Sequence, residues 1–158
     1  MSWSGEVLTM VRYMIWDIDS GNYTYNDDSL LGAVFMSAKL VSLDVSTTND
    51  YTVDVETRTI DPDPSTPTSD PGFINLTALK TSANILFAEA KLESKRGIAI
   101  TDGPSSINTG NRAKDVASQA KTYSDRYELY KRQYTAGRYG KGVITPTTEE
   151  SLPDSFLF

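Results

Sequence analysis

The sequence predicts a mainly α fold: a four-helix, bundle-like domain with a small β-hairpin or extended arm and an extended C-terminal tail. Three observations predict it. Apolar residues recur at three- and four-residue spacing in four separate stretches, which is the helical period. One stretch between the second and third of these alternates with a period of two, as a half-buried strand does. From residue 137 to residue 158 no period survives. A chain of 158 residues with 39% hydrophobic content suits one domain with a modest core, residues 1–136, followed by a tail, 137–158.

The first helix is expected over residues 4–16. Val7, Met10, Val11 and Met14 form its stripe, Leu8, Ile15 and Trp16 widen it, and Ser4 suits its cap. So broad an arc needs cover on more than one side. A polar loop follows over residues 17–28. Asp17, Asp19 and Asp28 stand at the first, third and twelfth positions of a calcium loop. Gly21 and Asn22, however, fill the fifth and sixth, where a ligand oxygen and a glycine belong, and the last acid is Asp rather than Glu. A turn leading into a helix cap is the simpler reading, and no metal ligand or cofactor is assigned. Asp27 or Asp28 then caps a second helix, which ends near Leu43. Its inner stripe is Leu30, Leu31, Val34, Ala38 and Val41, with Phe35 and Leu40 on its shoulders. The small residues Gly32, Ala33 and Ser37 would let another helix approach.

From Asp50 the period is two. Tyr51, Val53 and Val55 alternate with Thr52, Asp54 and Glu56, and the extended run continues through Arg58 to Ile60. It reads as one strand, pairing with residues 43–46 or projecting as an arm onto a neighbour's edge. Residues 61–72 hold four prolines and form a loop within the domain, expected to be mobile. The third helix, residues 75–96, has Leu76, Leu79, Ala83, Leu86 and Ala90 on one face, extended by Ile85, Phe87 and Leu92, with Gly97 as its stop. Ile98 to Ile100 reads as a short strand or extended link, and Asp102-Gly103-Pro104 turns it.

The fourth helix, residues 111–136, is capped by Asn111 and stopped by Gly137. Ala113, Val116, Ala120, Tyr123, Tyr127, Tyr130 and Tyr134 follow one another at alternating gaps of three and four. A seam of tyrosines packs against something while keeping hydroxyls near water. It is either a core helix of the bundle or an interface helix between subunits, and both remain open here. The tail carries Val143, Ile144, Leu152 and the run Phe156, Leu157, Phe158, which calls for docking on its own domain or on a partner.

The totals exclude more than they announce. There is no cysteine and no histidine, so disulfides, thiolate metal sites and Ser-His-Asp triads have no residues to form from. The remaining acids fall mostly in predicted loops, so no catalytic residue is assigned and an enzyme is not expected. The net charge of −6 is uneven: residues 17–70 hold eleven acids against two bases, and residues 71–148 hold twelve bases against six acids. These halves can pair within one chain or between neighbours. Overall acidity argues against tight nucleic-acid binding. No targeting segment or membrane-spanning run is expected.

The order helix, acidic loop, helix, strand with a proline loop, long helix, then tyrosine-rich helix and extended tail resembles the head–tail connector adaptors of tailed bacteriophages. The resemblance covers most of residues 5–136. It rests on element order and on the pairing of Leu76-Thr77-Ala78-Leu79-Lys80 with residues 98–104 and the basic helix after them. It implies a structural protein of the virion, assembled in the host cytoplasm. Such adaptors form a ring, commonly of twelve copies, between portal and tail or neck proteins, and double-stranded DNA passes through without sequence-specific binding. Under this resemblance the tail, with Val143, Ile144, Leu152, Phe156, Leu157 and Phe158, docks on the portal. Tyr51, Val53, Val55, Arg58, Tyr123, Tyr127, Tyr130 and Tyr134 are candidates for subunit interfaces. Asp17, Asp19, Asp27, Asp28, Asp61 and Asp63 are candidates for the channel lining. Another neck component, a stopper or tail terminator, or a non-viral helical interaction module are the alternatives.

Overall fold

The computed structural model describes residues 2–47, 49–98 and 109–139. In chain order they form α1 (Trp3–Met14), α2 (Asp27–Asp44), β1 (Thr52–Asp54), β2 (Thr59–Asp61), α3 (Pro71–Ile98) and α4 (Thr109–Tyr139). The fold is mainly α with a small hairpin, as the periodicity predicts. The boundaries differ, and each difference has a local cause.

α1 starts earlier than expected because Ser2, not Ser4, caps it: the Ser2 hydroxyl accepts the Gly5 N–H at 3.2 Å. That brings Trp3 into the core, edge-on to Phe35 with ring centroids 5.2 Å apart. Beyond Met14 the chain turns sharply, with Trp16 in the left-handed region at φ 61°. Trp16 therefore leaves the apolar arc assigned to it and stands 78% exposed. α2 is capped by Asn26, whose side chain accepts the Ser29 N–H at 2.7 Å, rather than by Asp27 or Asp28. Leu30, Val34, Phe35, Ala38 and Val41 are buried along it. At Gly32 nothing approaches a built β-carbon, so the close helix contact expected there is absent; Ser37 is the small residue that meets α3, at Asn84.

The run from Tyr51 to Ile60 is a hairpin, not one strand paired with residues 43–46. Thr52 faces Asp61, Val53 faces Ile60 and Asp54 faces Thr59 in antiparallel register. Asp54 makes the reversal: its Oδ1 accepts the Glu56 and Thr57 N–H groups at 2.8 and 3.1 Å. Arg58 completes it in the left-handed region at φ 54°. The proline loop is held rather than loose. Pro64 is fully buried, and the Asp70 N–H donates to its carbonyl at 2.8 Å.

α3 begins at Pro71, inside the stretch read as loop. Asp70 caps it, its Oδ1 accepting the Phe73 N–H at 3.0 Å, and proline is tolerated at the first helical position, where its missing N–H would have had no helical partner. Phe73 and Ile74 thereby join the core. At the other end α3 passes through Gly97 to Ile98, and α4 includes Asn111 and passes through Gly137 to Tyr139. A glycine in a helix costs about 1 kcal/mol, which slows a helix without ending it. Ile98 is thus helical, and the rest of the expected strand lies outside the described residues.

α3 is the centre of the molecule and packs against each of the other three helices. α1 runs alongside it in the same direction, Trp3 near Phe73 and Met14 near Ser82. α4 runs antiparallel, the Tyr134 ring beside Gly72 and Arg112 3.7 Å from Glu89. The buried cluster joins Val7 and Val11 of α1, the α2 stripe, Val45, Tyr51 and Val53, and Phe73, Ile74, Leu76 and Leu79 of α3; from α4 it takes Tyr127.

Candidate interaction surfaces

The tyrosine seam is a clasp. Its hydroxyls reach the ends of the other three helices. Tyr123 donates to the Met14 carbonyl at 2.8 Å, at the end of α1. Tyr127 donates to Asp44 Oδ2 at 2.7 Å, at the end of α2. Tyr134 donates to Asp70 Oδ2 at 2.9 Å, at the start of α3. Lys131 joins the second anchor, its Nζ 2.8 Å from Asp44 Oδ1. These bonds from Lys131 and Tyr127 hold the Asp44 carboxyl below the usual range, and Asp44 raises Lys131 in return. Burial, and then Asp44, push the Tyr127 phenol well above 10.0. Tyr51 donates to the same Asp70 oxygen at 3.0 Å and is raised chiefly by burial.

These contacts correct several interface assignments. Tyr51, Val53 and Tyr127 lie in this chain's own core, so they are not free to meet a neighbour. Tyr123 and Tyr134 are half-buried and spent on internal anchors. Val55 is half-buried at the hairpin turn, and Arg58 donates to Asp28 Oδ1 at 2.6 Å. Tyr130 is the exception on the seam, 47% exposed.

The acids assigned to a channel divide likewise. Asp17 is buried, its Oδ2 2.6 Å from Arg12 Nη1, and it accepts the Thr24 and Tyr25 N–H groups. Arg12 also binds Asp27 at 2.5 Å and the Tyr25 carbonyl, with the Tyr23 ring stacked 3.5 Å from its guanidinium carbon. The stretch resembling a calcium loop is thus organised by an internal arginine. The apolar spacing of α1 does not mark Arg12 as an organiser; the signal for it is that it is the only base in residues 1–16 and sits within an apolar arc. Asp28 pairs with Arg58. Asp19, Asp61 and Asp63 are exposed, and so are the paired Asp27 and Asp28, at 65 and 80%. The tail residues Val143, Ile144, Leu152, Phe156, Leu157 and Phe158 lie outside the described residues.

Two apolar surfaces remain on the outside. On α2, Met36, Leu40 and Leu43 stand 50, 40 and 78% exposed at helical spacing, a stripe the sequence reading did not separate from the inner face. Between α1, α3 and α4 lies a groove of about 330 Å³ lined by Met14, Asn75, Leu79, Arg126, Leu129 and Tyr130. Among the described residues no helix is long and apolar enough to cross a membrane. Comparison with protein-family models, curated proteins and solved structures finds no match.

Proposed function

We propose that this chain is a structural head–tail connector adaptor of a tailed bacteriophage, working as a ring that joins a portal to tail or neck proteins. The order of its elements supports this. The observation that carries it is the separation of charge on the surface. Asp50, Asp54, Glu56, Asp61 and Asp63 are exposed around the hairpin and proline loop; on α4 Lys114, Arg126 and Arg132 are exposed, and its seven bases outnumber the acids Asp115, Asp125 and Glu128. Unlike patches on one subunit favour a head-to-tail contact, which closes into a ring when the rotation permits, over a contact of like with like. The α2 stripe of Met36, Leu40 and Leu43 supplies apolar area that a charged rim alone lacks. Asp19, Asp27, Asp28, Asp61 and Asp63 are the exposed acids available to line a channel, where negative charge keeps DNA from adhering. The tail engages the portal in this reading.

The test is electron microscopy of the full chain mixed with its portal. A ring seated on the portal is expected, and deletion of residues 140–158 is expected to abolish the union while leaving helical circular dichroism intact. A monomer with no affinity for the portal at micromolar concentration overturns the proposal.

A further inference from the structure

We propose that the groove between α1, α3 and α4 is the seat of residues 149–158 of the same chain. The groove leaves Leu129 and Tyr130 52 and 47% exposed beside Met14 and Leu79, so apolar surface faces water there. Its volume of about 330 Å³ is at the small end of binding pockets, which span about 300–1,000 Å³, and suits a few side chains rather than a helix. Its charged member is Arg126. The Arg126 guanidinium carbon lies 5.8 Å from the Tyr123 ring, and among the described residues it has no carboxylate partner. The site therefore asks for an apolar or aromatic occupant carrying negative charge.

Residues 149–158 answer each requirement: Glu149, Glu150 and Asp154 are acidic, Phe156, Leu157 and Phe158 are large and apolar, and the segment holds no base. The acids around the hairpin come with no such aromatic run. Reach favours the same chain. Tyr130 lies nine residues before Tyr139, the end of α4, about 14 Å along a helix axis. The nine residues 140–148 span up to about 30 Å when extended, so the return needs no second copy. This goes beyond the adaptor reading and stands without it: it concerns the isolated chain, and on a portal the same segment would have to leave the groove to engage its partner.

The chain has no cysteine, so a disulfide trap is clean. Ser155→Cys is paired in the full chain with Gln133→Cys, one turn beyond Leu129 on the exposed side of α4. The control pair is Ser155→Cys with Glu56→Cys at the hairpin turn. Mild oxidation is expected to trap an intrachain bridge several-fold more with Gln133→Cys than with Glu56→Cys. Adding Arg126→Glu and Leu129→Ser is expected to remove that preference while circular dichroism stays unchanged. Equal trapping at both sites, a preference that survives Arg126→Glu and Leu129→Ser, or bridges formed mainly between chains would each overturn the proposal. Failure of portal capture alone would leave this result unaffected and count only against the adaptor.

Discussion

At Gly72 the side chain that is missing matters most. A β-carbon there would collide with the Tyr134 ring, whose hydroxyl is bound to Asp70. Gly72→Ala is therefore expected to destabilise the fold by roughly 1–3 kcal/mol, although alanine is the better helix former by about 1 kcal/mol. In a Tyr134→Ala background the same change should become neutral or favourable. Urea unfolding of the four proteins measures the coupling, and an unchanged cost in both backgrounds would contradict the contact. None of this was legible from spacing alone. The seam places Tyr127, Tyr130 and Tyr134 on one line, yet Tyr127 is 1% exposed and Tyr130 47%. Gaps of three and four fix the face of a helix to within a broad arc. Which side of that arc lies under cover depends on Asp44 and Asp70, which are distant in sequence.

The helices themselves were legible because burial imposes their period; their ends were not. Asp70-Pro71 carries the signal of a cap followed by a first-turn proline, but the three prolines just before it, Pro62, Pro64 and Pro67, make the whole stretch read as loop. The hairpin was hidden for a similar reason. Asp54 keeps the alternating pattern while its carboxylate turns the chain. Among these elements α4 has α3 as its main support: it buries Ala113, Ala120 and Tyr127, and three hydroxyl anchors tie its seam to the ends of the other helices. Hydrogen exchange should therefore be faster along α4 than along the buried centre of α3. Replacing Tyr123, Tyr127 and Tyr134 together by Phe removes bonds worth about 1 kcal/mol each, more where the acceptor is a carboxylate. That change should accelerate exchange in α4 several-fold before it does so in α3. Equal protection of both helices, followed by joint loss, would show that α4 is not a separable unit.

For the molecule as a whole, the sequence showed the charge asymmetry but not how much of it is used internally. Asp17, Asp27, Asp28 and Asp44 are each paired to a base within the chain, two of them to one arginine. The anchors also set a response to pH. Burial and Glu89 push Tyr25 up to about 12, and Tyr51 and Tyr127 are raised further by burial. Because the folded values lie above the unfolded value of 10.0, the stabilisation is complete below pH 10 and falls as pH rises beyond it. Asp44 has the opposite sign: its folded value is depressed, so its contribution is lost as pH drops below about 4. Urea midpoints should fall between pH 10 and 12, less steeply in Tyr127→Phe, and a flat profile would refute the assignment. The last helix among the described residues adds Tyr127 to the central cluster, which α1, α2, the hairpin and α3 otherwise supply. A nascent chain can thus gather most of its interior before α4 leaves the ribosome, and α4 then settles onto a surface already laid down, so manufacture and dependence run in the same direction.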